Sequence, residues 1–158
     1  MLHVFDVSAL NAAGRYLNAP LVFEALGDLI EDKQACFPDD VLGELERLAR
    51  GEFTYTWAKA IAPSRCEKGA AYKHHQAIAH QVPDLVDHEA EHESSVVAVA
   101  AQAYSLMQAG RIDVTVVTED VRDKPTRLPL ATGCGQLGIR WISLANCLRT
   151  CGYGNLLP

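Results

Sequence analysis

Two short apolar runs organise the reading of this chain. Residues 2–5, Leu-His-Val-Phe, run straight into Asp6, and the β-branched stretch over 112–117 is bounded by Gly110 and by Thr118-Glu119-Asp120. Unbroken apolar runs, as opposed to strict alternation, are what strands covered on both faces show. Residues 35–37 and 140–143 read as two further strands. Segments of helical period lie between them. Val22, Leu26, Leu29 and Ile30 recur at helical spacing over 21–33, behind Asn18 as a cap and Pro20 in the first turn. Pro38-Asp39-Asp40 supplies a turn and cap for a helix over 41–50, which Gly51 stops. Residues 7–19 read as loop or short helix, and 52–86 as mostly helical with breaks at Pro63 and Pro83. Val96, Val97, Ala100, Ala103, Tyr104 and Met107 predict one long helix over 87–108, and shorter helices follow at 129–137 and 144–150. Apolar strands alternating with helices predict an α/β fold, a parallel sheet flanked by helices on both faces, in a single domain over 1–158.

Composition narrows the class. With 158 residues, of which 49% are hydrophobic and 22% charged, the chain has enough material to bury about two-thirds of its unfolded surface. No apolar run approaches the ~18–20 residues that a membrane span needs. The first residues reach an acid quickly and lack a basic segment, so no signal peptide is expected and a cytoplasmic location is. The five cysteines, Cys36, Cys66, Cys134, Cys147 and Cys151, are odd in number and irregularly spaced, so reduced thiols are expected. Cys147 and Cys151 stand at i, i+4 and could share a helix face as a metal or redox pair; two small buried residues is the commoner meaning of such a pair.

The net charge of −6 argues against nucleic-acid binding through bulk positive charge. It leaves room for acids gathered in a metal site. Residues 1–50 carry nine acids against four bases, whereas residues 111–158 carry six bases against four acids. Ligands of open α/β sheets bind outside the carboxyl ends of the strands. Asp6 and Asp120 stand there, Glu44 lies about one turn into the helix after the second strand, and Glu93 precedes the apolar part of the helix before the third. Each alone has an ordinary explanation, since acids favour helix first turns and strand-end turns. Four that one sheet edge could collect need a counter-charge, because clustered buried carboxylates are costly. A hard cation such as Mg²⁺ or Mn²⁺ prefers oxygen ligands and supplies that charge.

The order of these motifs resembles the PIN-domain nucleases. Val4-Phe-Asp6-Val-Ser8 is similar to that family's first strand, which ends in Asp with a hydroxyl residue behind it. Val41-Leu-Gly-Glu44-Leu45 is similar to its Glu in the helix after the second strand. Glu93-Ser-Ser-Val-Val-Ala98-Val-Ala100 resembles its helix-opening acid, usually Asp, and Val116-Val-Thr-Glu-Asp120 its Thr-x-Asp strand end. Gly138-Ile-Arg-Trp-Ile-Ser143-Leu resembles its last strand and helix. The resemblance spans nearly the whole chain, although residues 52–86 match nothing in it. It implies a Mg²⁺- or Mn²⁺-dependent endoribonuclease, of the VapC type in toxin–antitoxin pairs, with RNA as substrate, a cognate antitoxin as partner and a homodimer as a family expectation. Asp6, Glu44, Glu93 and Asp120 would hold metal and serve catalysis, and Ser8 would orient them. Glu in place of the usual third Asp leaves open a PIN-fold binding protein with degraded catalysis.

A rival motif remains. His88-Glu89-Ala-Glu-His92 matches H-E-x-x-H, which on a helix sets two imidazoles toward Zn²⁺ with Glu89 as base, as in a metalloprotease. It lies in a stretch rich in His and Glu and lacks the Gly-x-x-His continuation; a solvated helix start is the plainer account. His74, His75 and His80 read as a polar helix surface. Arg122, Lys124 and Arg127 follow Asp120 and could meet RNA phosphates or form a solvated loop, with Lys124 or Arg127 steadying charge. Trp57 and Trp141 are expected in the core.

Overall fold

A parallel sheet of four strands forms the centre of the molecule: β1 (Leu2–Phe5), β2 (Ala35–Cys36), β3 (Val114–Val117) and β4 (Arg140–Ile142), in the order β2-β1-β3-β4. The computed structural model describes residues 1–158 apart from 63, 65 and 67. The break expected at Pro63 therefore lies outside the described residues. Every residue of β1 and β3 is buried. Successive side chains of a strand point to opposite faces, so burial of all of them means that helices cover both faces of the sheet. This is the expected α/β architecture, and it is consistent with a PIN-like arrangement. Among the described residues there are eight α-helices: α1 (Val7–Gly14), α2 (Ala19–Glu31), α3 (Asp39–Ala49), α4 (Phe53–Ile61), α5 (Tyr72–Gln81), α6 (Val96–Gln108), α7 (Leu130–Leu137) and α8 (Leu144–Thr150). None of the described helices is long and apolar enough to cross a membrane.

Local chemistry explains the element boundaries. Asp6 caps α1, its carboxylate accepting from the Ala9 amide, so the residues after β1 form a helix where loop or short helix was expected. Gly138, at φ 70°, ends α7 in the left-handed conformation that glycine adopts without cost. Ser143 caps α8 by accepting from the Asn146 amide, which takes it out of the strand expected to contain it. The stretch over 52–86 resolves into α4, α5 and a 3-10 turn at Pro83–Leu85. The long helix expected from residue 87 begins only at Val96. Residues 88–93 are all exposed and offer no apolar face to pack. The Asp87 carboxylate instead accepts from the Glu89 amide and the Thr126 hydroxyl, and such local bonds compete with the helix.

Two expectations about side chains are corrected. Trp141 lies on edge strand β4 and is 38% exposed, so it is not core; Trp57 does pack, against Phe23 and Phe37. Cys36 and Cys66 form a disulfide, with Cα atoms 5.1 Å apart, where reduced thiols were expected. The two lie 30 residues apart in sequence, and only the fold brings β2 against the segment after α4. Cys134, Cys147 and Cys151 are free.

Candidate functional site

The strand order creates a switch point. From β1 the chain moves outward to β2, then crosses through α3 to α6 and returns on the other side of β1 as β3. Connections leaving β1 and β3 thus diverge, and the crevice between their carboxyl ends is where open α/β sheets bind ligands. Asp6 follows β1 and Asp120 stands three residues beyond β3, so both flank this crevice. Register fixes their neighbourhood, because Phe5 pairs with Val117 and the Asp6 amide donates to the Val117 carbonyl at 3.2 Å.

A hydroxyl network joins the two acids. The Thr118 hydroxyl donates to Asp6 Oδ2 at 2.5 Å and accepts from the Asp120 amide at 3.0 Å. The Ser8 hydroxyl lies 2.8 Å from both Asp6 carboxylate oxygens and accepts from the Glu119 amide at 2.8 Å. Asp6 Oδ1 also accepts from the Ala9 amide at 2.8 Å. Ser8 therefore holds Asp6 in place. Thr118 does so as well, and it is the site residue that the assignment from sequence left out, although the Thr-x-Asp pattern contained it.

The two carboxylates have opposite electrostatics. Asp6 is 1% exposed, and burial pushes its carboxyl up to about 6, with the Asp120 charge adding to the rise against the hydrogen bonds from Thr118, Ala9 and Ser8. Burial also raises Asp120, but hydrogen bonds from Lys124, Arg127 and the Leu130 amide outweigh it and hold this carboxyl below its ordinary value. Lys124 pairs with Oδ1, Arg127 Nη1 donates to Oδ2 at 2.8 Å, and the Leu130 amide, at the start of α7, donates to the same oxygen at 2.9 Å. Lys124 and Arg127 thus neutralise Asp120, and Arg122 remains on the exposed loop beside them.

The other two acids sit at the start of α6. Glu44, from α3, accepts from the Ser95 amide at 2.6 Å and so ties α3 to the N-terminal end of α6. Glu93 is exposed; its carbonyl accepts from Arg47 Nη2 at 3.5 Å, and it lines a groove with Asp40, His75, Ser94 and Ala98. No three of Asp6, Glu44, Glu93 and Asp120 bring ligand oxygens within 4.8 Å of one another. The fold therefore unites Asp6 with Asp120, and Glu44 with the segment of Glu93, without closing the four into one cluster.

The Asp6 and Asp120 end offers carboxylate and hydroxyl oxygens, the donor type that hard cations prefer. Among the described residues Asp6 is met by neutral hydroxyl and amide donors, whereas Asp120 is paired with Lys124 and Arg127. The H-E-x-x-H stretch fits zinc poorly. His88, Glu89 and His92 are exposed and lie outside any helix, so the shared face that the motif requires does not form. Among the described residues no third protein ligand joins them. His74 accepts from the Ala71 amide on α5, as befits the polar surface expected of that helix.

No curated protein matches the chain. A family model described as "Domain of unknown function (DUF4411)" matches residues 3–153, which takes in the end of β1 that carries Asp6 and everything through α8, and the chain belongs to that family.

Proposed function

We propose that this chain is a PIN-like, metal-dependent endoribonuclease, the toxin component of a type II toxin–antitoxin pair acting in the cytoplasm. One observation carries the reading: Asp6 and Asp120 flank the switch point of the sheet, linked through Thr118 and Ser8, and Asp6 is buried there with no cationic side chain on it among the described residues. Asp6 and Asp120 are the residues that would hold Mg²⁺ or Mn²⁺; Glu44 and Glu93, at the start of α6, do not gather with them into one cluster. A cation bound there would supply water activation and charge neutralisation at a phosphodiester. Ser8 and Thr118 fix the Asp6 oxygens through hydrogen bonds, and this leaves the carboxylate little freedom to turn away. Arg122, with Lys124 and Arg127 once they release Asp120, would supply the cationic contacts to RNA phosphates. The test is cleavage of RNA with Mn²⁺ by the wild type and by Asp6→Asn. Cleavage lost in the variant by a factor of about a hundred or more supports the reading; equal cleavage by both, or none with any divalent ion, overturns it.

A second reading has its own observation. Lys124 and Arg127 already neutralise Asp120, as they would in a PIN-fold protein that binds a partner and has lost its chemistry. Calorimetry separates the two. Mn²⁺ binding that strengthens in Lys124→Ala favours a working site masked by lysine. No Mn²⁺ binding by either protein favours the partner-binding role.

A further inference from the structure

The sheet carries a second cluster of ligand-type side chains, remote from the carboxylates in donor chemistry. His3 on β1 and Cys147 and Cys151 on α8 each place a ligand atom within 4.8 Å of the other two. His3 Nδ1 lies 3.9 Å from Cys151 Sγ and 3.2 Å from the Gln34 carbonyl. His3 is 2% exposed, Cys147 is fully buried and Cys151 is half-buried, which gives the cluster one opening to solvent.

We propose that His3, Cys147 and Cys151 form a Zn²⁺ site that fastens the last helix to the first strand. Three observations support it. First, the donor set is two thiols and one imidazole, which suits a borderline-soft cation and not the oxygen-seeking Mg²⁺ or Mn²⁺. Second, His3 Nε2 is buried and has no hydrogen-bond partner among the described residues. A neutral imidazole has one N–H and one lone pair, and Nδ1 already meets the Gln34 carbonyl and Cys151 Sγ. A ring that turns Nε2 toward the thiols gives that nitrogen a partner in the metal. Third, the spacing is close to what zinc needs. Zn–S near 2.3 Å and Zn–N near 2.0–2.1 Å put tetrahedral ligand atoms about 3.5–3.8 Å apart. Side-chain rotation can draw the present 4.8 Å envelope in to that size.

Binding is a ligand exchange without redox change. Zn²⁺ replaces the protons of the two thiols, both protons leave to solvent, and the fourth position is open to water on the Cys151 side. Three protein ligands plus water is a sufficient zinc coordination set. The site joins residues 148 apart in sequence and lies about 10 Å back along β1 from Asp6, so its role is to hold the chain ends together.

The experiment loads the reduced, metal-stripped full chain with Zn²⁺ and, separately, with Co²⁺. The expected result is about one equivalent of zinc, a cobalt spectrum with thiolate charge-transfer absorption, and a thermal midpoint that rises with zinc. Cys151→Ser and Cys147→Ser should weaken zinc binding at least about tenfold and abolish the charge-transfer band, while Cys134→Ser, which alters the buried thiol outside the cluster, should keep both. Cys151 is the less buried of the pair, so its variant serves if Cys147→Ser fails to fold, and the cobalt spectrum of the wild type needs no variant. Any of three results overturns the proposal: no zinc retained by the reduced protein, a cobalt complex without thiolate absorption, or wild-type affinity in Cys151→Ser.

Discussion

Asp6 gives this molecule a pH dependence of its own between acid and neutral conditions. Its carboxyl is raised to about 6 by burial, against an ordinary value of 3.8. In the unfolded chain it ionises near the ordinary value, so between about pH 4 and 6 the folded state binds more protons than the unfolded state. The stability this group contributes is therefore fully present below about pH 4 and is lost as pH rises through 6. The cost at neutral pH is on the order of 3 kcal/mol. Asp6→Asn removes the titration while keeping the shape and one acceptor oxygen. Any cost of a changed hydrogen bond with Ser8 or Thr118 is the same at every pH and cancels when one variant is compared across pH values. The carboxyls of Asp113 and Asp87, both held low by partners that donate to them, titrate in wild type and variant alike and also cancel. Urea midpoints should show the variant gaining on the wild type between pH 4 and pH 7, and Mn²⁺ at pH 7 should narrow that gap by stabilising the wild type alone. A gap that stays constant with pH would mean that Asp6 ionises at its ordinary value.

At the scale of elements, α7 offers a paired prediction within one helix. Gly135 is exposed, and a methyl group there meets nothing within 4 Å; Gly133 is buried, and the same group would lie 3.0 Å from Leu85 Cδ1. Gly135→Ala should therefore raise stability by about 0.5–1 kcal/mol, because alanine loses less backbone entropy in a helix. Gly133→Ala should gain less or lose outright, since the turn at Pro83–Leu85 must give way. Urea midpoints of both variants check the contrast, and equal gains would show that α7 does not press on Leu85. The same elements explain what could be read from the sequence. β1 and β3 were legible because burial on both faces demands unbroken apolar runs, and their ends located Asp6, Ser8 and Asp120. The start of α6 was not, because 88–93 has the composition of a solvated helix but no face to bury, so caps and turns outcompete it. Lys124 and Arg127 looked like phosphate contacts because nothing local showed that the loop folds back onto Asp120. His3 belonged with Cys147 and Cys151 only once α8 had packed beside β1, a distance no spacing rule covers.

The whole molecule is crossed by two cysteine pairs that respond oppositely to reductant. The disulfide between Cys36 and Cys66 closes a loop that contains α3 and α4, and the Phe37 amide donating to the Ser64 carbonyl at 3.1 Å follows the same path. Closing a loop of 30 residues restrains the unfolded chain by roughly 3–4 kcal/mol in the chain-entropy account. The loop also carries Glu44, whose bond to the Ser95 amide joins α3 to α6, so opening it should loosen the packing of α3 on α6. Reductant should accordingly lower the urea midpoint of the wild type. The double variant Cys36→Ser with Cys66→Ser should start low and ignore reductant. The zinc cluster works in the other sense, since Cys147 and Cys151 bind metal only as thiols. In metal-free buffer the loss on reduction should therefore appear in full, whereas with Zn²⁺ present the wild type should recover part of it and the double variant should gain the same increment. A wild-type midpoint indifferent to reductant would show that the Cys36–Cys66 link adds nothing to the fold, and would leave the bond between Glu44 and Ser95 to hold α3 in place alone.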